Sequence, residues 1–113
     1  MSNKLFVLIR GDLSKAQQAA QACHAVAGFM LYENKKDNCS CGRCDKDFRW
    51  ENETIVLLKV KDLDDLKYWY GRLLSLEECY TYAFNEPYYS DAMTAIAAYG
   101  NTVEDILKDI PLI

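Results

Sequence analysis

The sequence predicts a single α/β domain in three layers, with a mixed four-stranded sheet between helices and the element order βαβαββα. Three observations carry that expectation. Residues 4–10 (KLFVLIR) and 54–61 (TIVLLKVK) are short apolar runs without alternation, the pattern of strands covered on both faces. Each run is followed by a capping pair and a stretch of helical spacing, so the chain opens as strand–helix–strand. That order implies a parallel pair joined by a right-handed crossover. Finally, 113 residues, half of them apolar, suit one domain across 1–113 with a core of its own.

After the first strand, Ser14 and Gln17 form the S-x-x-Q pattern of a capping box, and a helix runs from about Ser14 to about Glu33. Residues 34–52 are polar and hold Gly42 and three of the five cysteines; they read as a long loop. The run from Thr54 is the second buried strand. Asp62 and Asp65 open a helix to about Leu76, with Leu63, Leu66, Trp69, Tyr70, Leu73 and Leu74 at helical spacing. Cys79 to Phe84 alternates small and aromatic residues as a strand does. A connection punctuated by Pro87 leads to a fourth strand, Thr94 to Tyr99. Asn101 and Glu104 open a final helix, ended by Pro111.

The formal charge of −4 weighs against broad nonspecific nucleic-acid binding, which needs clustered Lys and Arg. No apolar run approaches the roughly 20 residues of a membrane-spanning helix. The Met1-Ser-Asn-Lys opening has no secretory pattern and the cysteine count is odd, so a cytoplasmic protein with reduced thiols is expected.

Within the first helix, Gln17, Gln21 and the one histidine of the chain, His24, recur at spacings of four and three. They therefore share one stripe. Ala16, Ala19, Ala20, Cys23 and Ala27 are expected to form the adjoining apolar face. An imidazole beside two amides reads as a site. The same residues also have plain structural uses: a helical histidine often donates to a backbone carbonyl, and Gln17 has a use in closing the cap alone.

The pattern strand, Arg10-x-Asp12-Leu13, then Gln18-Ala-Ala-Gln21-Ala-Cys-His24-Ala25 resembles the type II (archaeal and eukaryotic-type) peptidyl-tRNA hydrolase family. Glu86-Pro87, followed by Thr94-Ala-Ile-Ala97, is similar to the E-P-D…T-A-I-A segment of a bacterial and phage-like branch of it. With the matching order of elements, the resemblance covers nearly the whole chain outside the cysteine loop. It implies a mixed four-stranded sheet between helices and cleavage of the ester that joins a peptide to the 3′ end of tRNA. Better-known members carry a lysine where this chain has Gln17, and a D-x-G-R-T loop whose nearest counterpart is Asn85-Glu86-Pro87. Tyr88 stands in place of the E-P-D aspartate.

Ester hydrolysis needs an activated water and donors for the developing oxyanion. His24 is the candidate for proton transfer, because an imidazole titrates near neutral pH. Glu86 is the candidate to orient it or to accept a proton, Thr94 to position water or the carbonyl, and Gln21 to bond the ester or the terminal nucleotide. Arg10 and Lys15 flank the strand-to-helix turn, where a helix N-terminus favours phosphate. With Gln17 they are the substrate-binding candidates. Glu86 and Thr94 also read as a turn residue and a strand former, and Arg10 and Lys15 as solvated charges. A non-catalytic tRNA- or nucleotide-binding module on the same fold is the alternative, motivated by the missing lysine and the acidic balance.

Cys39, Cys41 and Cys44 place three thiols within six residues, a spacing that suits structural zinc. A fourth ligand is needed, from Cys23, Cys79, Asp45, Asp47 or a second chain, and free thiols in a loop are the competing reading. The proposed hydrolysis requires no cofactor. The tyrosines at 80, 82, 88 and 89 suit an interface, as in a homodimer, or a lid, and Tyr68-Trp69-Tyr70 suits base stacking or core.

Overall fold

The computed structural model describes residues 4–35, 50, 54–76, 79–100 and 102–113. The elements are β1 (Lys4–Arg10), α1 (Lys15–Lys35), β2 (Thr54–Val60), α2 (Leu63–Leu74), β3 (Cys79–Glu86), a 3-10 turn (Pro87–Tyr89), β4 (Ala92–Gly100) and α3 (Val103–Leu107). This is the expected βαβαββα order. The four strands form one mixed sheet in the order β2-β1-β4-β3. β1 pairs parallel with β2, and β4 runs antiparallel to both β1 and β3. No helix among the described residues is long and apolar enough to cross a membrane.

β1 is buried on both faces from Leu5 to Ile9. Its odd residues, Leu5, Val7 and Ile9, pack with Ala22, Ala25 and Phe29 of α1 and with Ala95, Ala97 and Tyr99 of β4. Its even residues, Phe6 and Leu8, pack with Leu66 and Leu73 of α2, Ile96 and Ala98 of β4, and Val103 and Leu107 of α3. The sheet thus separates two apolar layers, one under α1 and one under α2 and α3.

β2 departs from the expectation of a strand buried on both faces. Leu58 and Val60 are buried toward α2, but Ile55 is 43% exposed. The sheet order explains this: β2 is an edge strand, and α1 packs on β1, β3 and β4. The open edge of β2 takes the end of the chain, with Lys59 N–H donating to the Pro111 carbonyl at 2.9 Å and Ile113 N–H to that of Leu57 at 3.1 Å.

The α2 start follows the sequence. Asp65 N–H donates to Asp62 Oδ1 at 3.0 Å, and Lys61 N–H to Asp65 Oδ2 at 2.9 Å, so two donors at the helix start find carboxylates. At α1, Gln17 N–H donates to Ser14 Oγ at 3.2 Å. Only this half of the capping box forms, because the Gln17 side chain turns to Gln21 instead. α3 begins after Thr102, which makes no side-chain cap; Asn101, the expected cap, lies outside the described residues.

The face of α1 corrects the sequence expectation. Ala16, Ala19, Ala20, Cys23 and Ala27 are exposed, whereas Gln21, Ala22, Ala25 and Phe29 are buried. Alanine forms helix well and loses little by facing water, so an alanine-rich helix has no strongly apolar face to read. The contacts available on the sheet decide its rotation.

Candidate functional site

Of the predicted site residues, Gln17, Gln21, His24 and Thr94 gather where α1 crosses β3 and the start of β4. Gln21 is 1% exposed and Thr94 is fully buried. They are 73 positions apart, yet Thr94 Oγ1 donates to Gln21 Oε1 at 2.7 Å. A second acceptor near the hydroxyl, the Phe84 carbonyl, lies at 3.5 Å. Gln21 Nε2 donates to Gln17 Oε1 at 3.4 Å, a long bond. The other Nε2 hydrogen has no partner among the described residues, although the side chain is buried.

Thr94 reaches Gln21 because β4 contains a bulge. Phe84 pairs with Ala95 and Asn85 with Met93, so Thr94 has no opposite residue. Residues two apart in a strand normally share a face. Here Ala95 packs in the α1 layer and Met93 against the α2 layer. The inserted residue breaks the alternation and turns its hydroxyl to the α1 side, as bulges do. Sequence reading selected Thr94 from a motif and had no signal for the bulge.

His24 lies on the exposed side of the same helix stretch, its ring stacked on Phe84 with centroids 4.6 Å apart and planes 12° apart. It makes no hydrogen bond or ion pair among the described residues, so the structural role of donating to a backbone carbonyl is not the one it plays. One turn further on, the ring of Tyr82 lies against the helix at Gly28, where a Cβ would come within 2.1 Å of it. Gly28 is therefore what lets the ring approach so closely.

Tyr82 lies at Gly28 and Phe84 at His24; Glu86, at the end of β3, is half-buried. Its main-chain carbonyl accepts from Asp91 N–H at 3.0 Å. That contact closes the β3–β4 connection, in which Ser90 and Asp91 both have positive φ, 56° and 62°. Tyr88 in this turn is 83% exposed and meets the Tyr89 ring edge-on with centroids 5.4 Å apart, while Tyr80 is buried.

The two cations near the turn after β1 differ. Lys15, at the first position of α1, is exposed. The Arg10 side chain is only 14% exposed, and its guanidinium is occupied. Nε and Nη2 donate to the two Asp12 carboxylate oxygens at 3.0 and 2.8 Å, and Nη1 donates to the Met93 carbonyl at 3.3 Å. The fork lowers Asp12 below the usual carboxylate range through its hydrogen bond, and the same bond raises Arg10. Asp62 and Tyr89 also lie close enough to act on Arg10.

Cys39, Cys41 and Cys44, with Asp45 and Asp47, lie outside the described residues. Cys23 is exposed on α1, and Cys79 is half-buried in the α2 layer across the sheet. Burial raises the Cys79 thiol above its ordinary range. Among the described residues no three His, Cys, Asp or Glu side chains are grouped to hold a metal ion.

The fold and this cluster define an α/β domain with a polar pair buried between its first helix and the last two strands. No family model matches the chain, and no curated protein matches it.

Proposed function

We propose that this chain is a peptidyl-tRNA hydrolase-like esterase, cleaving the ester between a peptide or aminoacyl group and the 3′ end of tRNA. The observation that carries the reading is the buried Gln21–Thr94 bond at 2.7 Å, which fixes the Gln21 oxygen as acceptor and leaves its amide one donor without a partner among the described residues. An unpaired imidazole, His24, stands one helical turn away. Because Gln21 is 1% exposed, a substrate carbonyl meets its amide only when binding uncovers it.

In this reading His24 takes a proton from water as the water oxygen attacks the ester carbonyl. The Gln21 amide donates to the oxyanion that forms. Collapse breaks the bond to the ribose oxygen, His24 returns the proton to it, and the products are a carboxylate and a free 3′ hydroxyl. Thr94 keeps the Gln21 oxygen occupied so that its nitrogen remains the donor. Glu86 orients His24 or accepts the proton itself. Lys15 is the cation free to meet tRNA phosphate, with Gln17 beside the pair; Arg10 must leave Asp12 to do the same.

The test is turnover of an N-blocked aminoacyl-tRNA by the whole chain. His24→Ala is expected to lower the rate by ~10²–10⁴-fold with the fold intact, the scale of a general acid–base group. An unchanged rate removes His24 from the mechanism. Tight binding of the same tRNA with no turnover across roughly pH 6–8 indicates the tRNA- or nucleotide-binding module instead.

A further inference from the structure

We propose that Arg10 is a positioning residue whose fork, held by Asp12, locks the bulge of β4 and so aims Thr94 at Gln21. The proposal goes beyond the esterase reading, and its structural half stands without it. A bulge leaves one residue outside the ladder and disrupts the pairing beside it. On the β3 side the register resumes at Phe84–Ala95 and Asn85–Met93. On the β1 side, pairing with β4 is in place from Phe6–Ala98 to Ile9–Ala95 and goes no further. The Met93 carbonyl, just before the bulged residue, is instead taken by the Arg10 side chain at 3.3 Å. Arg10 is the residue of β1 that follows the last paired one. A side chain thus replaces a strand hydrogen bond at the position where alternation breaks.

The fork geometry suits the task. A guanidinium is planar and offers donors in fixed directions. Two of its nitrogens are spent on both oxygens of Asp12, at 3.0 and 2.8 Å, a bidentate pair that sets the plane of the group. The remaining nitrogen then points along one course, to β4. Asp12 stands in the turn between β1 and α1. The same device therefore ties the helix carrying Gln21 to the strand carrying Thr94, whose hydroxyl and amide meet at 2.7 Å. A lysine at position 10 has one ammonium and no plane, so it meets Asp12 or Met93 without fixing the angle between them.

The experiment uses the whole chain and two readouts. The first is NMR of the Gln21 side-chain amide and the Thr94 methyl and hydroxyl, which report the buried pair directly. Arg10→Met is expected to shift these signals and expose the hydroxyl to exchange; Arg10→Lys is expected to do so in part. The second is turnover of N-blocked aminoacyl-tRNA. Misplacing a reacting group by about 1 Å costs on the order of 10²-fold, so Arg10→Met is expected to fall by about that factor. Combined with Thr94→Val, it is expected to add nothing further, because both changes remove the same contact.

Unchanged Gln21 and Thr94 signals in Arg10→Met overturn the proposal, as does a loss that multiplies with that of Thr94→Val. If Arg10→Met does not fold, Asp12→Ala removes the partner that sets the guanidinium plane and its aim at Met93; the Gln21 and Thr94 signals are expected to shift, and unchanged signals overturn the proposal. Absence of turnover in the unaltered chain sinks the esterase reading alone, since the NMR arm needs no substrate.

Discussion

The two long helices pack on opposite faces of one sheet and are built on opposite principles. α2 carries carboxylates at its start, apolar residues at regular spacing, and buried leucines that face Phe6, Leu8 and Ile96. α1 carries Lys15 and no acidic residue in its first turn, exposes most of its alanines, and buries an amide. The comparison teaches where packing is settled. On α2, burying each leucine removes far more apolar surface from water than any competing rotation does, so its face is encoded locally. On α1, Val26, Phe29 and Met30 set the second half, but the alanine-rich first half offers little apolar area to choose between rotations. The outcome rests on contacts made at a distance: Thr94 with Gln21, Phe84 with His24, and Tyr82 with Gly28.

That contrast can be broken or sharpened by substitution. The largest effect is expected on the α2 side. Leu66→Ala should destabilise the fold by about 2–5 kcal/mol, from lost burial and the cavity left behind, as measured by denaturant unfolding. A cost below about 1 kcal/mol would mean the α2 layer is not the rigid one.

Thr94→Val should follow. It leaves Gln21 Oε1 buried without its donor, at a cost of about 1–3 kcal/mol. Adding Gln21→Leu removes both polar partners and should recover most of that stability while turnover stays lost. If the double variant is as unstable as the single one, the pair is not the polar contact that holds α1 in place.

The smallest effect tests the outward face of α1. Ala20→Lys should change stability by less than about 0.5 kcal/mol, as surface substitutions do. A loss of several kcal/mol would return Ala20 to the buried face that the alanine pattern suggested.

Much of the fold is legible in the chain because it depends on local chemistry. The continuous runs of β1 and β2, the Asp62–Asp65 cap and the leucine spacing of α2 each require nothing from distant residues. The limits of such reading are as physical. β2 carries the same apolar run as β1, yet it lies at an edge, and edge position is a property of strand order rather than of the strand. Gln21 and His24 stand out by type and spacing, and Thr94 by the T-A-I-A resemblance. That Gln21 is sealed against Thr94 while His24 faces outward was not in the spacing, since a helix stripe has no inside until something packs on it.

By itself, then, the sequence determined which segments are strands and helices, because hydrogen bonding, capping and propensity act within a few residues. Tertiary structure alone decided which side of α1 is buried, which strand is the edge, and where β4 slips by one residue to turn Thr94 inward. Those outcomes follow from pairing between distant segments, such as Arg10 with Met93, 83 positions away. Such contacts gain their energy only once the sheet has brought both partners together.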